Sequence, residues 1–350
     1  MKQIRSAVHR GPSRAPVACL ALFLVLLFSC APLPPKQERE SPRAEPAVER
    51  RIFRSDRYLV CVPGEETTAE ALAAEHLDDP GKAWLVEEAN DGSSFSASDA
   101  IVIPLREENP GGLAKDGYQT VPILCYHRFG KKNDGPLCVS EETFARQMAF
   151  LAENGYHAIG IGELLDFLDY RRSLPEKSVL ITIDDGYRSA YEIAYPILRR
   201  HGYTAALFVY TDFIGSSAKS LTWEQLEEMK AAGFDVGSHT MTHCDLTEKR
   251  AEEDDRSYRE RVREELLVSK RILDERLEQD TIAVAYPYGN AAPEILPLCH
   301  SLGYRLGVTV RPGANPFFAD PLFLHRSQIV AGQGPPFQDR LKHFEPASLE

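Results

Sequence analysis

Two short stretches of this chain carry side chains whose types and spacing suit hydrolytic chemistry at a divalent metal. The first, Thr182-Ile183-Asp184-Asp185-Gly186, directly follows the apolar run 178–181. The second, His239-Thr240-Met241-Thr242-His243, follows Phe234-Asp235-Val236-Gly237-Ser238. Imidazoles four residues apart face one ion if the segment makes a helical turn. An aspartate delivered from a strand end supplies a third ligand and leaves one position for water, the layout of a catalytic rather than a structural site. The second, adjacent carboxylate is then available as a base. Asp-Asp-Gly alone is often only a turn, and His-x-x-x-His alone is often a surface pair. It is their combination in a parallel α/β context that points to catalysis.

Elements able to position these groups are legible from residue 118 onward. Strands are expected at 121–125, 179–183, 205–210, 282–285 and 306–310, where short apolar runs are bounded by turn residues. Helices are expected at 141–154, 161–170, 189–200, 223–232, 255–278 and 293–302. Ser140 and Thr222 cap two of them, and Gly155 and Gly233 stop two. Alternation of this kind implies a parallel sheet with helices outside, and six or more units favour a distorted or incomplete (β/α) barrel. Chemistry in such a fold gathers at the carboxyl ends of the strands. Asp184-Asp185, His239, Tyr286-Pro287-Tyr288-Gly289 and Cys125-Tyr126-His127 all follow strands, so four segments deliver polar groups to one rim.

The 350 residues accommodate a large domain and a small one, and the formal net charge of −12 argues against a nucleic-acid binder. At the N-terminus, Lys2, Arg5, Arg10 and Arg14 precede the apolar run 17–28, which is shorter than the roughly 20 residues needed to span a bilayer. Residues 1–30 therefore read as an export signal. Leu27-Phe28-Ser29-Cys30 is similar to a bacterial lipobox, which makes Cys30 the lipidated residue and the lipid the one expected membrane contact. Residues 31–52 form a Pro- and charge-rich tether. Of the seven cysteines, Cys61, Cys125, Cys138, Cys244 and Cys299 are widely spaced without a CxxC, and no disulfide framework follows.

Residues 53–108 read as a β-α-α-β unit that resembles a LysM glycan-binding module. The resemblance rests on the strand and turn Tyr58-Leu59-Val60-Cys61-Val62-Pro63-Gly64, on Glu88-Ala89-Asn90, with Asn90 as a left-handed helix stop, and on Ile103-Pro104. Gly64-Glu65-Glu66-Thr67 replaces the usual Gly-Asp-Thr-Leu turn. Residues 115–335 resemble the polysaccharide deacetylase family, the NodB-homology carbohydrate esterases, with 336–350 as a tail. Thr182–Gly186 stands where the family has Thr-Phe-Asp-Asp-Gly, and His239–His243 where it has His-Ser/Thr-x-x-His.

That resemblance implies a metal held by Asp185, His239 and His243, zinc first, with cobalt or nickel as alternatives. It implies Asp184 as general base and the backbone N–H of Tyr288 as oxyanion donor. The family's Arg-x-Pro-Tyr is here Ala285-Tyr286-Pro287-Tyr288, so the arginine that contacts the base is missing. Ile123-Leu124-Cys125-Tyr126-His127 is similar to an acid-bearing motif moved to the front of the domain, as in the poly-N-acetylglucosamine deacetylase branch. His127 is the expected general acid, with His325 as the fallback. The expectation is an exported enzyme of the cell envelope that N-deacetylates N-acetylglucosamine polymer. Its rivals are a non-catalytic glycan-binding or export-assisting lipoprotein, and a hydrolase of the same fold acting on another amide or an O-acetyl ester.

Overall fold

The computed structural model describes residues 51–90, 92–106, 109–114, 116–332 and 334–347. The export segment, Cys30 and residues 31–50 of the expected tether lie outside the described residues. The tether ends earlier than expected, because Arg51–Arg54 is a strand paired antiparallel with Tyr58–Val62. Tyr58–Val62 pairs in turn with Ile101–Pro104, and the helices Ala69–Leu77 and Ala83–Asn90 lie between them in sequence. Thr68 caps the first helix by accepting the Ala71 N–H. Asn90 is not the left-handed stop expected. It is the last helical residue, and its side chain donates to the Val86 and Val102 carbonyls and accepts the Val102 N–H, tying helix to strand. Leu59, Leu72, Val86, Ile101 and Ile103 close a small core of their own.

The larger part is built on seven parallel strands, here β1 (Ile123–Tyr126), β2 (Ser178–Asp185), β3 (Ala206–Val209), β4 (Asp235–Ser238), β5 (Ala283–Ala285), β6 (Leu306–Val308) and β7 (Ser327–Gln328). Strands β1 to β6 lie side by side in chain order, and β7 pairs beside β1. Just before β7, Leu324 bridges Val308 of β6. The final segment thus touches both edges of the sheet and draws it into a distorted barrel, as the alternation of elements predicts.

Side-chain alternation along the strands separates two cores. Leu124, Tyr126, Val179, Ile181, Ile183, Leu207 and Val209 pack outward against helices. Ile123, Leu180, Phe208, Ala285, Val308 and Leu324 fill the interior. Burial on both faces explains why β2 is apolar without interruption until it reaches Thr182 and the aspartates.

Two elements differ from expectation. The helix expected at 189–200 starts as a π-helical segment, Ala190–Ala194, and becomes α-helical only over Tyr195–Arg200. Pro196 supplies no N–H to the regular ladder, which accounts for the irregular spacing before it. Nor is 336–350 a plain tail: Phe344–Pro346 pairs antiparallel with Gly117–Val121. Among the described residues, no helix is long and apolar enough to cross a membrane.

Candidate active site

Asp184 and Asp185 leave β2 in succession, so plain strand geometry sends their side chains to opposite faces. Asp184 points into the barrel with the parity of Leu180 and Thr182 and is 1% exposed. Asp185 has a left-handed backbone, φ 77°, which redirects its carboxylate at the strand end toward the two histidines. Gly186 continues the turn at φ 89°, where an added Cβ would fall 2.7 Å from Ile214.

The histidines do not lie on a helical turn. Residues 239–243 form an irregular loop after β4, with Thr240 at φ 68° and His243 at φ 63°. The buried Glu265, from helix Asp255–Leu277, fixes that loop. Its carboxylate accepts the N–H groups of Met241 (3.1 Å) and Thr242 (2.9 Å) and the Thr242 hydroxyl (2.7 Å). The Thr240 hydroxyl accepts the His243 N–H. His239 Nδ1 lies 2.7 Å from the Ala285 carbonyl. Only a protonated Nδ1 can donate there, which leaves Nε2 as the ligand atom.

Asp185 Oδ1 lies 3.6 Å from His239 Nε2 and 3.4 Å from His243 Nε2. Ligand atoms about 2 Å from a tetrahedral ion sit about 3.3 Å from one another. The three donors therefore fit a single divalent cation, and the expected metal residues come together. Burial alone would raise the Asp185 pKa, but hydrogen bonds from His239 and His243, with the charge of His127, hold the carboxyl far below its usual range. The sum is a carboxylate at any working pH, ready to ligate.

A second group lies beside the first: Cys125, His127 and Asp184 also bring their polar atoms within 4.8 Å of one another. Both Asp184 oxygens are occupied by Arg326, Nη1 to Oδ1 at 2.8 Å and Nη2 to Oδ2 at 2.7 Å. Arg326 is fully buried and also donates to the Thr182 hydroxyl and the Thr309 carbonyl. Burial alone would raise the Asp184 pKa, but the Arg326 charge, with lesser help from His239 and His127, brings it below the ordinary aspartate value. Burial raises the Cys125 thiol well above its usual range, so it stays protonated and points its Sγ at Asp184. With both Asp184 oxygens taken by Arg326 and the Cys125 thiol protonated, this second group is less suited to a metal than the first.

Arg326 is a residue of this site that the sequence alone did not single out. Coming from the opposite end of the domain, it contacts Asp184, the carboxylate that the missing Arg-x-Pro-Tyr arginine is expected to contact. A signal was present, since Leu324-x-Arg326 has the alternation that puts a residue inward next to an interior leucine. The same alternation turns His325 away. Its ring packs near Phe323 and beside Gly313, and its backbone is clasped by the Asn315 side chain. The fallback acid is therefore not brought to the carboxylates, whereas His127 is.

His127 is 8% exposed, and its Nδ1 is buried without a partner among the described residues. Burial holds its pKa below the ordinary imidazole value against the opposing charges of Asp184 and Asp185. Tyr288 sits at the rim with φ 60° and ψ 4°, 61% exposed, with its ring 4.9 Å from that of His243. This places Tyr288 beside the group formed by Asp185, His239 and His243.

A family model described as polysaccharide deacetylase matches residues 171–307. YxkH of Bacillus subtilis (strain 168), which carries a provisional polysaccharide deacetylase name, is 34% identical over 234 residues, or 67% of this chain and 80% of its own length. The poly-beta-1,6-N-acetyl-D-glucosamine N-deacetylase of Escherichia coli (strain K12) is 24% identical over 211 residues. That match takes in 51% of this chain and 31% of the E. coli protein, so the chain spans about a third of that relative. Among solved structures, the Streptococcus pyogenes deacetylase PplD in complex with acetate aligns with a TM-score of 0.58 at 30% identity, covering 64% of this chain and 98% of that one. The share of YxkH that is covered, the barrel it shares with PplD and the ordered Asp-Asp and His-x-x-x-His groups converge: the chain belongs to the polysaccharide deacetylase family and is a hydrolase of acetylated polysaccharide.

Proposed function

We propose that this chain removes acetyl groups from N-acetylglucosamine residues of an exopolysaccharide or peptidoglycan, with Asp184 as base, His127 as acid and Asp185, His239 and His243 as metal ligands. One observation carries the reading: Asp184, buried beside the ligand triad, is kept ionised by a bidentate Arg326 and has His127 within reach. A divalent ion, zinc by its donors with cobalt or nickel as alternatives, would supply Lewis acidity and an acidified water when bound.

The remaining steps belong to the protein. Asp184 takes a proton from the attacking water. The Tyr288 backbone N–H donates to the oxygen on which negative charge develops. His127 is neutral at rest because of its burial, so it must gain a proton before it can give one. Asp184, which captures one in the first half of the reaction, stands next to it. His127 then protonates the departing amine, and acetate and a free glucosamine unit are released. The protein is exported and anchored through a lipid on Cys30. Its LysM-like unit at 53–108, which follows the tether in sequence, keeps the 115–335 catalytic domain near glycan, with no role for nucleic acid.

Acetate release tests this, using N-acetylglucosamine oligomers, their fully deacetylated counterparts and an O-acetylated glycan lacking N-acetyl groups. Release from the first alone is expected. Release from the O-acetylated glycan alone would move the activity to esters, and none from any substrate would leave a glycan binder.

A further inference from the structure

We infer that a basic cavity adjoining the active site is a subsite for an anionic group carried by the glycan chain; this rests on the deacetylase reading above. The cavity, about 610 Å³, opens between the segment after β1 and the segment after β2. Its lining includes Arg128, Lys131, Lys132, Arg188 and Lys219, against the two carboxylates of Asp134 and Glu192. None of the five cations is in an ion pair among the described residues. In a chain with 52 acidic residues and a net charge of −12, this is a local reversal of sign. Like charges around one cavity repel one another, and a bound anion relieves that repulsion.

Position ties the cavity to the reaction. Arg128 directly follows His127, and Arg188 is three residues beyond Asp185, so the cavity begins within a few residues of the reacting groups. Both guanidiniums are held in place. Arg128 donates to the Asp134 carbonyl and lies over the Tyr187 ring, and Arg188 donates to the Ser220 carbonyl. Fixed guanidiniums suit the planar oxygens of a carboxylate or phosphate, while the exposed Lys131, Lys132 and Lys219 add long-range attraction. The preferred substrate thus carries negative charge on a sugar neighbouring the one deacetylated.

The test compares the full chain with a variant combining Lys131→Glu, Lys132→Glu and Lys219→Glu on three oligomers of equal length. One is neutral N-acetylglucosamine, one alternates it with a carboxylate-bearing muramic acid, and one carries a phosphate monoester. At low salt, kcat/KM of the parent should be about tenfold higher on a charged oligomer than on the neutral one, through KM, and the gap should close with added salt. The variant should lose that preference while its kcat on the neutral oligomer is unchanged. Preference for one charged oligomer identifies carboxylate or phosphate as the group. Equal rates on all three by the parent, or equal losses on all three by the variant, would overturn the subsite. If no oligomer releases acetate, the deacetylase reading fails instead. Binding of the same oligomers then decides the subsite alone: weaker binding of the charged ones by the variant supports it, and equal binding overturns it.

Discussion

At the scale of single residues, the site turns on how one buried carboxylate is kept charged. Asp184 is 1% exposed, and it stays ionised because Arg326 neutralises it with two parallel hydrogen bonds. Arg326→Met would leave that charge unpaired, at a cost of about 3–5 kcal/mol. A urea midpoint measured beside acetate release should show both the destabilisation and a lost base, since burial would then push the carboxyl toward its neutral form. The pH dependence follows from the direction of the Asp184 shift. Its pKa is lowered on folding, so its stabilising contribution is complete above the unfolded aspartate value of about 3.9 and is lost as pH falls through the lower, folded value. Melting temperatures taken from about pH 5 to about pH 2 should fall for the parent chain and fall less for Asp184→Asn. The residues proposed as ligands and base were legible as a group because they sit in two compact motifs. Arg326 was not, since it meets Asp184 across 142 positions of sequence, and the Leu324-x-Arg326 alternation turns it inward without saying which carboxylate it meets.

At the scale of elements, the histidine loop shows how two side chains can be expected to converge for the wrong local reason. Spacing of four suggested a helical turn, yet left-handed residues at Thr240 and His243 bring the two Nε2 atoms to Asp185 instead. Helix periodicity cannot report this, because the conformation is imposed from outside by Glu265 on a helix far along the chain. Glu265→Ala would release two backbone N–H groups and the Thr242 hydroxyl. Metal affinity should fall about ten- to a hundredfold, as for other residues that orient ligands, and a competitive chelator titration measures it. Unchanged affinity would mean that the loop holds its shape unaided. The helix boundaries near Ser140, Thr222 and Gly233 were readable because caps and glycine stops act locally. The π-helical start before Pro196 and the role of Asn90 were not, since both depend on neighbours that sequence alone does not place.

At the scale of the whole molecule, the barrel and the site are closed by the same segment. Residues 324–328 bridge β6 to β1 and carry Arg326 to the base in doing so. Sheet closure and base ionisation are therefore linked, although the segment lies far from either motif. Alternating strands and helices made the barrel itself readable, whereas the antiparallel additions at its base, such as Phe344–Pro346 on Gly117–Val121, left no pattern longer than a few residues. Together these pieces are proposed to form a metal-dependent N-deacetylase. That activity is tested most directly by acetate release from N-acetylglucosamine oligomers by the full chain, first stripped with chelator and then given back zinc, cobalt or nickel. Release should vanish on stripping and return with a divalent ion. Release that survives complete stripping, or that no ion restores, would contradict the proposal.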